Sequence, residues 1–180
     1  MHDMLKKIIH DRQNTIAHTG AHYGETIPLE RTTPIVAFPK KAPFCIAEIK
    51  HGSPSQGRFK PLDVMHTVTE YVYNGTSCIS VVTEPNHFFG SLNDIMHIKK
   101  IFPRIPVLRK DFLTECEDID ISYRVGADAV LLITALFTHI PDGTARMQML
   151  YNKILSYGMM PVVEVQDRKS TRLNSSHRIR

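Results

Sequence analysis

Apolar positions recur along the chain in two rhythms. Residues 3–17 carry Leu5, Ile8, Ile9 and Ile16 at helical spacing and predict a helix. Short runs rich in Val, Ile and Leu then alternate with amphipathic stretches. The runs at 44–50, 78–83, 106–110, 129–133 and 161–165 predict five strands. Helices are predicted between them at about 62–74, 92–101, 116–124 and 144–157; Gly75, Gly126 and Gly158 stand where three of these should stop. The segment 18–43, with Pro28, Pro34, Pro39 and Pro43, is read as irregular.

Strands that recur every 25–35 residues or so, with a helix between each pair, are the mark of βα units in a parallel sheet. Periodicity does not separate a doubly wound sheet from a barrel. No Gly-x-Gly-x-x-Gly follows the first strand, so a dinucleotide fold lacks its main signal.

The rhythm fails after the fifth strand, where a further amphipathic helix is due. Residues 168–180 contain two large apolar residues, Leu173 and Ile179, and no helical stripe. They are read either as a solvated tail or as foreign sequence, because Ser-Thr-Arg-Leu-Asn-Ser-Ser-His resembles translated vector or adaptor. The division expected is thus a folded part at 1–167 and a tail at 168–180.

Composition changes this picture little. The 180 residues are 42% hydrophobic and 22% charged, as in a globular domain. The formal charge of +4 belongs to the tail: without its five basic residues, seventeen basic side chains face eighteen acidic ones. That argues against a nucleic-acid partner. No apolar run approaches the ~20 residues that span a membrane, and the N-terminus lacks the apolar core of a signal peptide. Cys45, Cys78 and Cys116 are far apart and form no Cys-x-x-Cys, so a reducing cytoplasm is expected rather than a disulfide framework or zinc site. His18 and His22 are spaced by four but have Gly20 between them and no evident acidic partner, so no metal is expected there.

Candidate chemistry follows from strand alternation. On the first strand Ile46, Glu48 and Lys50 share one face; on the third, Leu108 and Lys110 do, with Arg109 opposite; on the fifth, Val162 and Glu164 do. Any one of these charges could be a partly buried ion pair or a surface residue. Two acids and two lysines at three strand ends suggest an acid–base and anion-binding site at the C-terminal mouth of a barrel. Phe88 and Phe89, after the second strand, would form either a small apolar plug or an aromatic wall.

Five stretches, in order, resemble the indole-3-glycerol phosphate synthase family. They are Glu48-Ile49-Lys50-His51-Gly52-Ser53-Pro54-Ser55-Gln56-Gly57; Ser80 to Pro85 followed by Phe88, Gly90, Ser91 and Leu92; Pro106 to Phe112; Gly126 to Ile133; and Val162 to Val165. The resemblance runs over residues 4–167. It implies a (β/α)8 TIM barrel, truncated here to about its first five strands, with an extra N-terminal helix. It implies decarboxylating ring closure of 1-(o-carboxyphenylamino)-1-deoxyribulose 5-phosphate in tryptophan biosynthesis, without metal or organic cofactor. By motif, Lys110 would be the general acid, Glu164 a proton carrier in the later dehydration, Lys50 an anion binder and proton donor, and Glu48 its tuning partner. Ser53 would contact substrate, with Phe88 and Leu131 as apolar wall. The partner implied is a small phosphorylated aromatic substrate, with fusion to or association with other tryptophan-pathway enzymes as in some family members. Strands six to eight and their phosphate-binding loops are missing, so this chain alone is expected to be inactive. Phosphoribosylanthranilate isomerase is the rival barrel, but the Glu48/Lys50 and Lys110 motifs speak against it. A non-catalytic barrel fragment has no feature in its favour.

Overall fold

In the computed structural model, residues 2–39, 43–138 and 140–165 are described. The tail reading at 168–180 falls outside them. The chain opens with helix α1 (His2–Thr19). Five strands follow: β1 (Ile46–Ile49), β2 (Cys78–Val82), β3 (Val107–Lys110), β4 (Ala129–Ile133) and β5 (Met160–Glu164). Helices α2 (Val64–Tyr73), α3 (Leu92–Ile101), α4 (Cys116–Val125) and α5 (Gly143–Ser156) fill the four crossovers.

Every strand pairs in parallel with the one before it, in the order β1-β2-β3-β4-β5. A doubly wound sheet would reverse its order at a switch point. The unbroken order is that of a TIM-barrel-like α/β fold, and it resolves the choice that periodicity left open. β1 and β5 are the outer strands of this sheet.

The two faces divide as alternation requires. Ile49, Ile79, Val81 and Val107 are buried with Val68 of α2, Leu92, Ile95 and Ile98 of α3, and Ile121 and Val125 of α4. Further along, Val130 and Leu132 join Ile119, Leu150 and Ile154. This is the helix-covered face. The opposite face carries Glu48, Ser80, Leu108 and Lys110 in adjacent register.

Helix ends obey local chemistry. The Asp63 carboxylate accepts from the His66 N–H at 3.0 Å and starts α2. Gly126 closes α4 at φ 102°, a left-handed value that favours glycine. Helix α3 is capped from far away. Glu25 accepts from the Ser91 hydroxyl (2.7 Å) and from the N–H groups of Leu92 and Asn93 (both 3.0 Å). Residues 20–39 form no helix or strand, as expected, but are tied to the sheet and its helices by side chains.

Arg31 shows the same at the N-terminal ends of the strands. It donates to the carbonyls of Ala127 (2.6 Å) and Gly126 (3.1 Å) and to Asp128 (2.7 Å). Asp128 also accepts from Lys99 Nζ (2.8 Å) and from the N–H groups of Val36 (2.9 Å) and Val107 (3.0 Å). All three charged side chains are almost fully buried. No helix among the described residues is long and apolar enough to cross a membrane.

Candidate active site

The C-terminal ends of the strands enclose a cavity of about 200 Å³. Glu48, Lys50, Lys110, Asp111 and Glu164 are its charged lining, and Val82, Leu131 and Ile133 are among its apolar walls. A larger cavity, about 350 Å³, lies at the other end among Phe38, Met159, Met160 and Pro161, where the one charged residue, Asp128, is already paired.

Glu48 sits between two ammonium groups. Lys110 Nζ donates to its Oε2 at 2.6 Å and Lys50 Nζ lies 3.3 Å from its Oε1. The Ser80 hydroxyl donates to Oε2 at 3.5 Å. Burial alone would raise the Glu48 pKa, but Lys110 and then Lys50 outweigh it and hold the carboxyl below its ordinary value. Glu48 is therefore an anion that orients both lysines. All three side chains remain about one-third exposed, open to a ligand from the mouth.

The loop after β2 supplies the aromatic wall. Buried Glu84 folds back and accepts from the N–H groups of Asn86 (2.9 Å), His87 (2.7 Å) and Phe88 (3.0 Å). This turns Phe88 toward the cavity, where its ring lies 6.0 Å from that of Phe112. The loop returns at Gly90, where any Cβ would overlap the Val82 carbonyl.

The structure thus brings Glu48, Lys50, Lys110, Glu164, Phe88 and Leu131 to one cavity. Ser53 is not in its lining. It belongs to a short hairpin (Gly52–Ser53 with Gly57–Arg58), where its Oγ accepts from the Gln56 N–H at 3.2 Å. Asp111 and Phe112 line the cavity without having been singled out from the sequence. Phe112 was available by alternation past the strand end; Asp111 was not, because it turns back toward the helices.

Asp111 is buried beside Arg109, which is also wholly buried, at 2.9 Å. Burial pushes the Asp111 pKa up, but Arg109, Arg12 and the Thr83 hydroxyl pull it below the ordinary value. Its folded pKa lies under its unfolded one. Its stabilisation is complete above the unfolded pKa of ~4 and is lost as pH falls through the folded value. Urea midpoints of Asp111→Asn and the parent should therefore differ near neutrality and converge in acid. A gap that stays constant with pH would contradict this.

Chemically, the site offers an ammonium group held by a carboxylate, a second cation for an anionic ligand, a further carboxylate, and a flat apolar wall. The indole-3-glycerol phosphate synthase family model matches residues 5–176. An indole-3-glycerol phosphate synthase of Dehalococcoides mccartyi is 40% identical over 126 residues, covering 68% of this chain and 47% of the relative. A multifunctional tryptophan biosynthesis protein of Phanerodontia chrysosporium is 33% identical over 187 residues, covering 92% of this chain and 23% of the relative. The chain spans about half the length, or less, of such curated relatives. Among solved structures, a 3-keto-L-gulonate-6-phosphate decarboxylase of Vibrio cholerae superposes with a TM-score of 0.54 at 11% identity, over 74% of this chain and 57% of that one, a likeness of fold alone. The match over nearly the whole described chain, with the motif residues meeting in one cavity, places this protein in the indole-3-glycerol phosphate synthase family.

Proposed function

We propose that these residues are the N-terminal part of an indole-3-glycerol phosphate synthase whose (β/α)8 barrel is completed by strands six to eight. On this reading α1 is the family's extra helix ahead of the barrel, and residues after about Asp167 are not native. The observation that carries the reading is the Lys110–Glu48–Lys50 cluster at the strand ends, facing Glu164 and an apolar wall.

The substrate 1-(o-carboxyphenylamino)-1-deoxyribulose 5-phosphate carries a carboxylate on a flat ring and, on the chain joined to that ring through nitrogen, a ketone and a phosphate. Lys50 holds the anionic substrate, and Phe88 and Leu131 flank the ring. Lys110 gives a proton to the ketone oxygen as the ring carbon bearing the carboxylate attacks the carbonyl carbon, so charge is neutralised where it develops. Carbon dioxide then leaves and the aromatic ring is restored. In the dehydration, Lys50 protonates the departing hydroxyl and Glu164 receives the proton lost from the new ring. Ser53, on the hairpin that follows β1, is a further substrate contact on this reading. The chemistry draws on no metal or organic cofactor. The working place is the cytoplasm, and fusion to other tryptophan-pathway enzymes, as the name of the Phanerodontia relative indicates for that protein, is a natural arrangement.

Recovering the gene and reading past the codon for Asp167 tests this. The frame should continue for about 80–100 residues with three more βα units. The 180-residue chain alone should be inactive and poorly soluble, because β1 and β5 would present unpaired apolar edges. Soluble, cooperatively folding and active material from the 180 residues would overturn the reading.

A further inference from the structure

Lys110 is flanked by two buried charges, Arg109 and Asp111. Arg109 donates to the Thr83 hydroxyl (3.0 Å), the Ser122 hydroxyl (3.1 Å), the Asp118 carbonyl (3.2 Å) and Asp111 (2.9 Å). The same Asp111 oxygen accepts from the Thr83 hydroxyl at 2.7 Å and from the Tyr23 hydroxyl at 2.9 Å. Its other oxygen accepts from the Phe112 N–H at 2.8 Å.

Tyr23 comes from outside the sheet. It follows α1 in a turn, at φ 57°, a left-handed value that a non-glycine residue adopts only under local constraint. Its hydroxyl accepts from Arg12 Nε of α1 at 2.9 Å, and Arg12 reaches Asp118 at 2.6 Å. Donation therefore runs in one direction, from Arg12 to Tyr23 to Asp111. Burial first, and then Asp111, raise the Tyr23 pKa well above its ordinary value, so the hydroxyl keeps the proton it donates.

We propose that Tyr23 is a positioning residue whose hydroxyl, bridging Arg12 and Asp111, makes the N-terminal segment a brace that sets where Lys110 Nζ stands against Glu48 and the cavity. The inference rests on the role of Lys110 given above. The fold does not depend on this hydroxyl. Without it Asp111 keeps Arg109, Thr83 and the Arg12 guanidinium 3.6 Å away, Arg12 also keeps Asp118, and the Tyr23 ring keeps its apolar neighbours. What is lost is the pair of short hydrogen bonds that hold the chain beyond β3 to the N-terminal segment, leaving only the longer Arg12–Asp111 ion pair between them. A misplacement of about 1 Å at a reacting group can cost up to ~100-fold in rate.

The test is Tyr23→Phe in the complete protein, read in two ways. Steady-state kinetics should show kcat lowered about 10-fold with KM within about twofold, since placement and not affinity is disturbed. Independently of turnover, acetic anhydride labelling followed by mass spectrometry should show Lys110 modified about threefold faster relative to exposed Lys6, the scale of loosening a partly exposed ion pair. If the parent does not turn over substrate, the functional reading fails while the labelling still decides the brace. An unchanged Lys110-to-Lys6 ratio overturns the brace, whatever the turnover. A kcat loss that merely tracks a fall in the folded fraction, measured by thermal melting, overturns it as well.

Discussion

Lys110→Met in the complete protein should lower kcat by roughly 10²–10⁴-fold, the range for removing a positioned general acid, with little change in KM. Lys110 lies at the end of β3 with its ammonium 2.6 Å from Glu48. Methionine keeps the length and the apolar stem but can donate no proton. The fold should survive, because the Lys110 side chain is about one-third exposed and Glu48 retains Lys50 as a partner. Steady-state kinetics with a melting curve for the variant checks both halves. Loss of affinity at unchanged kcat would reassign Lys110 from acid to anchor.

Asp128→Ala should have the largest effect on stability, about 3–5 kcal/mol, because it leaves buried cations without their counter-charge. Lys99 and Arg31 both converge on this carboxylate, and two backbone N–H groups depend on it. Burial lowers the Lys99 pKa and the nearby Arg31 lowers it further, so without Asp128 two like charges would share one dry site. For a protein of this size the fall in Tm is of the order of 10 °C, measurable by calorimetry. Below its transition the variant should keep its kcat, because Asp128 lies at the opposite end of the strands from Lys110. A variant that melts within about 1 °C of the parent would contradict this reading of the network.

Much of this was legible along the chain. The five strands and four crossover helices appear where the apolar rhythm put them, and α3 has the bounds expected from the sequence. Period-two alternation placed Glu48, Lys110 and Glu164 on one face and Arg109 on the other. Strand order was not legible from periodicity, because pairing is a non-local property; the resemblance to a barrel family supplied it. The segment after α1 is irregular as read, but its ties were not legible because they are single polar side chains: Tyr23, Glu25 and Arg31 each reach residues some 65–100 positions away. Nothing periodic announces such contacts. Arg109 and Asp111 were passed over for a related reason, since wholly buried charges are rare and only a partner makes them affordable. Ser53 shows the opposite limit: its motif indicates a loop near the site but not the turn that its hydroxyl occupies.

The most direct test of the central claim is to supply the purified complete protein with 1-(o-carboxyphenylamino)-1-deoxyribulose 5-phosphate and follow indole fluorescence together with released carbon dioxide. One equivalent of each per substrate, with loss of turnover in Lys110→Met, is the predicted result. A folded parent that forms no indole product, or a Lys110→Met variant as fast as the parent, would contradict it.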